Sequence, residues 1–232
     1  MYVRSILFYL LLSTWTLFLG IVCIPYLFLS SMYLRQSVRL WIKGIFFLLK
    51  NVCNITHEIR GLEHIPAHSV LVVSKHQSAF ETFALFYYIP KSLFIHKKQL
   101  FWIPIFGQYL KKINMISIDR AGGATTMRAV LKKSKRRVSD GFSIIIFPEG
   151  TRKKPGADPD YKSGFVGIYK EIQTPILPVA VNSGYCWPKH TFIKKPGHII
   201  IQIMKSLPAN LERIVVLKKV QTTIEDATNK II

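Results

Sequence analysis

Acidic residues are scarce in this chain. Only 12 of its 232 residues are Asp or Glu, against 32 Lys or Arg, which leaves a net charge of +20. None of the acidic residues precedes Glu58. Such a balance argues against a cationic partner and for an anionic one: nucleic acid, an anionic lipid surface or a phosphorylated substrate. Cysteine is scarce too. Cys23, Cys53 and Cys186 are far apart and odd in number, which gives neither a disulfide framework nor a CxxC metal pattern, so a reducing compartment is expected. The seven histidines lack ligand spacing, and no metal site is expected. There is no RNA- or DNA-binding motif and no basic patch interleaved with aromatics, so nucleic acid is not the expected partner.

Charge of either sign is also missing from Ser5 to Leu34, a run of thirty residues. About 20 apolar helical residues cross a bilayer core, so this segment is long enough to do so. A signal peptide would have an apolar region of only about 7–15 residues followed by a small-residue cleavage site, and no such site is present. The expectation is a retained membrane segment that either spans or, bent at Pro25, dips into one leaflet. The next stretch carries Arg35, Arg39, Lys43 and Lys50 at helical spacing, with Trp41, Ile42, Ile45, Phe46, Leu48 and Leu49 between them. That pattern predicts an interfacial helix beside anionic headgroups; a core helix of the following domain is the alternative.

After Gly61 short β-branched runs alternate with helical patterns. HSVLVVS, KSLFI, GFSIIIF, ILPVAVNSG and HIIIQIM read as strands, and HQSAFETFALFYYI, TTMRAVLKKSKRRV, KSGFVGIYKEI and the tail after Leu211 as helices. In the tail, Leu211, Ile214, Leu217, Ile224 and Ile231 mark the expected apolar face. The fold class is therefore α/β, a sheet layered by helices, preceded by an N-terminal membrane-associated helical segment. Residues 1–57 are assigned to membrane-anchoring helices and 58–232 to the α/β domain, with Lys153 to Tyr161 as its clearest flexible loop.

Two strands run into polar motifs, VLVVS into KHQS and SIIIF into PEGTR, and ligands of open α/β sheets gather at such carboxyl ends. In KHQSAFETF, His76 precedes Glu81 by five residues. Five residues apart on a regular helix lie about 140° from each other, so the two meet only if His76 sits in the turn before the helix. Ser78 and Glu81 form an S-x-x-E capping box that would begin the helix there. The pair is thus either a proton-transfer device or only a helix start.

The motifs together resemble the glycerolipid acyltransferases, specifically the 1-acylglycerol-3-phosphate acyltransferase family. Its first motif, NHQSxxD, stands here as KHQSAFE, with Lys75 for Asn and Glu81 for Asp. Lys97, Leu100, Gly107 and Arg120 match the second, including IDR at Ile118 to Arg120. FPEGTR is complete at Phe147 to Arg152, and ILPVAV with Pro178 matches the fourth. The resemblance spans Lys75 to Val181.

That resemblance implies transfer of a fatty acyl group from acyl-CoA or acyl carrier protein to the sn-2 hydroxyl of lysophosphatidic acid. The thioester is a co-substrate, and no cofactor is expected. His76 would be the general base, with Glu81 holding its tautomer and stabilising the imidazolium. Ser78 is expected to cap rather than to act as a nucleophile. Lys97, Arg120, Glu149, Gly150, Thr151 and Arg152 are the expected substrate-binding residues, with Arg152 gripping the acceptor phosphate. Oxyanion donors are expected among the backbone N–H groups near Ser78. The seven basic residues from Arg120 to Arg137 could meet anionic lipid, the phosphates of CoA or a carrier protein, or simply face solvent. Glycerol-3-phosphate or another lysolipid as acceptor, and a non-catalytic basic membrane or nucleic-acid binder, are the competing readings. The expected location is a membrane, with the catalytic domain on the cytoplasmic side against an anionic surface.

Overall fold

The computed structural model describes residues 1–119 and 122–232. Its elements run α1 (Tyr2–Val22), α2 (Ser31–Cys53), β1 (Ile55–Arg60), β2 (Leu71–Ser74), α3 (Phe80–Tyr88), β3 (Ser92–Lys97) and α4 (Phe106–Lys112). They continue with β4 (Ile116–Ile118), α5 (Gly123–Ser139), β5 (Ser143–Ile146), α6 (Gly164–Ile172), β6 (Ile176–Val181), β7 (Gly197–Ile203) and α7 (Arg213–Lys230). The strands form one sheet in the order β1-β7-β6-β2-β5-β3-β4. Every pairing is parallel except β6 with β7.

The central strands are apolar on both faces because helices cover both. Side chains alternate across a strand. Val70 and Val72 therefore enter a core shared with α1, α2 and α3, while Leu71 and Val73 enter the opposite core with α5, α6 and α7. Four strands, β6, β2, β5 and β3, run parallel side by side. Their carboxyl ends all open at one edge of the sheet, and the polar motifs gather there.

The mixed α/β class is as expected from the sequence, but the N-terminal segment differs from its predicted form. Pro25 lies at the start of a 3-10 turn, Ile24–Leu27, after α1 has ended, and the chain returns as α2 to make a helical hairpin. Trp15 Nε1 donates to the Trp41 carbonyl at 3.1 Å and Trp41 Nε1 to Thr16 Oγ1 at 3.0 Å. Gly44 permits this approach: a Cβ there would sit 2.1 Å from Trp15 Nε1. The α1 helix is fixed to the α/β body at both ends. Lys194 N–H donates to Ser5 Oγ, and Tyr109 OH donates to the Gly20 carbonyl. Between those anchors Leu10, Leu11, Leu17 and Phe18 are exposed, and α1 is long and apolar enough to cross a membrane, with a mean hydropathy of 2.0.

Three predicted assignments are corrected. The helix α2 is not purely interfacial: Leu34, Ile42, Ile45, Leu49 and Cys53 are buried in the domain core. Arg35 is committed inside the protein, donating to the carbonyls of Ser92 and Ile113. Arg39, Lys43 and Lys50 remain on the exposed side. The boundary at 57/58 falls inside β1, an edge strand whose residues 55 to 60 pair with β7; Asn54, in the left-handed conformation at φ 54°, ends α2 and releases the chain into it. In α7 the buried face is Val216, Val220, Ile224 and Thr228, whereas Ile214 is exposed.

Candidate active site

His76 lies in the turn between β2 and α3, as its spacing from Glu81 requires. α3 begins at Phe80 with Ala79 as its N-cap, slightly later than the capping box suggests, yet the box's hydrogen bonds are present. Ser78 Oγ accepts from Phe80 N–H at 2.9 Å, and Glu81 Oε1 accepts from Ser78 N–H at 2.7 Å. The same Oε1 accepts from Gln77 N–H at 2.7 Å and faces His76 Nδ1 at 2.8 Å. Glu81 Oε2 accepts from Ser78 Oγ at 2.8 Å and Ser183 Oγ at 2.6 Å. The helix-capping bonds and the contact with His76 therefore coexist in one carboxylate.

Five donors converge on a fully buried acid. Burial pushes the Glu81 carboxyl up, but the hydrogen bonds from His76, Ser183 and Ser78 and the histidine's charge outweigh it and hold the group below its usual value. An ionised Glu81 can only accept, so His76 Nδ1 carries the proton and Nε2 is left as the basic nitrogen. Nε2 makes no hydrogen bond among the described residues.

The histidine is held from every side. Its ring stacks on Phe147 with centroids 3.9 Å apart and planes at 14°. Its N–H donates to Glu149 Oε2 at 2.8 Å, and its carbonyl accepts from Lys153 N–H at 2.8 Å. These contacts place FPEGTR, the loop after β5, directly against the loop after β2, because β2 and β5 are neighbours. On the other flank β6 delivers Ser183, and the Gln77 amide oxygen accepts from Gly184 N–H at 3.0 Å.

The remaining expected site residues divide. Glu149 is corrected: it is buried, with Oε2 on His76 N–H and Oε1 3.0 Å from the Lys75 ammonium. Its Oε2 is taken by the His76 N–H, and its buried Oε1 makes no hydrogen bond but pairs in charge with Lys75, so it supports the histidine rather than facing a substrate. Gly150 takes the left-handed φ of 65° that closes this loop, a conformation only glycine adopts freely. Thr151 is exposed and accepts from Lys189 Nζ at 2.9 Å. Arg152 is half-buried with no carboxylate partner among the described residues, the state expected of a cation kept for an anionic ligand. Lys97 is exposed at the end of β3, one strand beyond β5, and makes no contact with the histidine cluster among the described residues. Arg120 lies outside the described residues. Of the backbone N–H groups near Ser78, those of His76, Gln77, Ser78 and Phe80 are taken by Glu149, Glu81 or Ser78, and that of Ala79 is not among them.

A family model described as Acyltransferase matches residues 56–182, which contain His76, Glu81 and the FPEGTR loop, with Ser183 one residue beyond. The chain belongs to the acyltransferase family. It is 33% identical over 213 residues to the 1-acyl-sn-glycerol-3-phosphate acyltransferase of Pseudomonas aeruginosa, covering 90% of this chain and 82% of that one. It is 26% identical over 200 residues to the human 1-acyl-sn-glycerol-3-phosphate acyltransferase alpha, covering 84% and 69%. The crystal structure of the 1-acyl-sn-glycerophosphate (LPA) acyltransferase PlsC from Thermotoga maritima matches with a TM-score of 0.82 at 23% identity, covering 99% of this chain and 95% of that one. At that identity the likeness is one of fold.

Sequence reasoning missed several residues that support the site of this acyltransferase. Ser183 comes two residues after the strand ILPVAV, and a hydroxyl at the carboxyl end of a strand beside the His–Glu pair was the available signal. The predicted flexible loop from Lys153 to Tyr161 is pinned at both ends. Pro155 packs on Gly184, where a Cβ would meet Pro155 Cγ at 2.8 Å, and Tyr161 is buried. Nothing local in the sequence marks Lys194, which is 1% exposed. It donates to Tyr9 OH at 2.7 Å and lies 4.9 Å from the Trp187 ring. Burial pushes its amine down to about 8.

Proposed function

We propose that this acyltransferase moves a fatty acyl group from a thioester donor, acyl-CoA or acyl carrier protein, to the sn-2 hydroxyl of lysophosphatidic acid, giving phosphatidic acid. The observation that carries the chemistry is the 2.8 Å contact of His76 Nδ1 with the buried Glu81 carboxylate, which leaves Nε2 unengaged. His76 Nε2 takes the proton of the acceptor hydroxyl as its oxygen attacks the thioester carbonyl. Collapse of the tetrahedral species breaks the carbon–sulfur bond, and the imidazolium returns its proton to the leaving thiolate. Glu81 stabilises the imidazolium between those steps. Arg152 is the proposed clamp for the acceptor phosphate, suited by its planar fork of donors. The names of the relatives support lysophosphatidate as the acceptor.

We infer further that the exposed apolar face of α1 is embedded in a membrane. The strongly basic domain faces the anionic, cytoplasmic leaflet, where an amphiphilic acceptor is delivered to His76 without leaving the lipid. The test is turnover by purified enzyme on lysophosphatidic acid, glycerol-3-phosphate and lysophosphatidylcholine, each with acyl-CoA and with acyl carrier protein. Phosphatidic acid formation that disappears in His76→Ala is expected. Faster acylation of glycerol-3-phosphate, or undiminished turnover in His76→Ala, would overturn the reading.

A further inference from the structure

Beneath the histidine lies a buried charge cluster that the proposed reaction does not use. Lys75 is 2% exposed, and its ammonium faces two carboxylates. It donates to both oxygens of Glu225, at 2.7 and 2.9 Å, and lies 3.0 Å from Glu149 Oε1. Tyr161 OH donates to Glu225 Oε1 at 2.8 Å. Glu225 reaches this point from α7, near the end of the chain, seated there by the buried Ile224 beside it. Lys75 stands where the resembled motif has Asn, and a lysine buried to this degree requires a counter-charge.

The cluster is connected to His76 through a single carboxylate. Glu149 offers one oxygen to the ammonium and the other to the His76 N–H. Two carboxylates share one ammonium, so Lys75 is what keeps Glu149 and Glu225 from repelling each other. Without it, Glu149 would be driven off the histidine's backbone. We propose that Glu225 and Lys75 are positioning residues: α7 clamps the Lys75 ammonium against Glu149, and through Glu149 it fixes the backbone from which the His76 ring is aimed. This rests on the reading of His76 as the base. Neither residue touches a reacting atom, so substrate binding is outside their role. The C-terminal helix thereby becomes part of the catalytic geometry, although the family match ends at residue 182.

The arrangement makes a prediction about sign that a merely structural role does not. Glu225→Gln in the parent removes half of the clamp. kcat should fall by about tenfold, in line with the steep dependence of catalysis on sub-ångström placement, while KM for acceptor and donor stays within about twofold. Lys75→Met leaves the buried Glu149 and the partly buried Glu225 without their shared counter-charge and should lower kcat by about a hundredfold. Adding Glu225→Gln to Lys75→Met removes that repulsion and should raise kcat about tenfold, so one substitution slows one background and speeds the other. Rates are referred to the folded fraction from thermal unfolding, with His76→Ala measured alongside. Losses that simply multiply, or a Glu225→Gln enzyme with unchanged kcat, would overturn the proposal. If Lys75→Met does not fold, the kcat and KM of Glu225→Gln decide alone, since Gln keeps the size and the acceptor atom. An active His76→Ala enzyme would instead overturn the assignment of the base, a separate failure.

Discussion

Glu81→Gln separates the charge of Glu81 from its shape. Oε1 faces three N–H donors, His76 Nδ1 and the amides of Gln77 and Ser78, so the glutamine must present its carbonyl oxygen on that side. The NH2 group then takes the place of Oε2, where it meets two hydroxyls, Ser78 Oγ and Ser183 Oγ. Both can turn and accept. The two hydroxyl protons that pointed at Oε2 must turn away to other acceptors, while the histidine tautomer is unchanged and the negative charge is removed. Two unit charges 4 Å apart at an effective dielectric of ~20 interact by about 4 kcal/mol, which corresponds to about a thousandfold in rate at 1.36 kcal/mol per decade. Turnover and thermal unfolding measured on one preparation should show kcat lower by about 10³ with the midpoint within a few degrees. Turnover within about fivefold of the parent would refute the reasoning and reduce Glu81 to a helix cap. Glu81→Asp is the complementary change. It keeps the charge but withdraws the carboxylate by about 1.5 Å, one carbon–carbon bond, from all five donors. Turnover and stability should therefore fall together.

Arg152→Ala should raise the KM for lysophosphatidate at least about tenfold and leave the KM for the acyl donor nearly unchanged, because charge-assisted contacts to phosphate are the strong ones; the opposite split in steady-state kinetics would move Arg152 to the donor. Gly44→Leu drives a side chain into Trp15 and should lower the unfolding midpoint by several degrees and red-shift tryptophan emission as the α1–α2 hairpin opens. Lys194 supplies a pH signature. Its amine, pushed down to about 8 by burial, titrates below its unfolded value of about 10.4, so the fold binds fewer protons than the unfolded chain between those values and gains stability as pH rises through that window. The unfolding midpoint of the parent should climb relative to that of Lys194→Met from pH 8 to pH 10 by a few degrees, and parallel curves would contradict the burial of a titrating amine.

The parts of the fold that were legible in the sequence are those encoded by short-range patterns. VLVV and IIIF are apolar throughout because both faces of their strands are covered, and the polar motifs after them mark the carboxyl edge. The His76–Glu81 contact was inferable because it is made within one turn of chain. β1 was not legible: ITHEIR carries polar residues on an edge strand whose partner, β7, is more than a hundred residues away, and strand patterning weakens where only one neighbour and one face are present. α2 reads as amphipathic at a membrane interface because burial against a sheet and burial in lipid select the same apolar stripe.

The supports of the site are dispersed in sequence, and that is why motif reading finds the His76–Glu81 pair but not what holds it. Glu149 bonds to His76 across 73 residues, Ser183 to Glu81 across 102, and Glu225 to Lys75 across 150. Each comes from a different neighbour of β2: the loop after β5, the turn after β6, and a helix on the far face of the sheet. Placing the histidine proposed as the base at the end of a central parallel strand makes this convergence available, since adjacent strands deliver their loops to the same edge. The two departures from the resembled motif belong to it. Glutamate at position 81 extends one carbon further than aspartate and meets five donors at once, including one from β6. Lysine at position 75 has a counter-charge only because α7 supplies Glu225. A substitution that looks conservative within the motif is therefore conditional on a residue far outside it, and the C-terminal helix belongs to the active site in function although no motif extends to it.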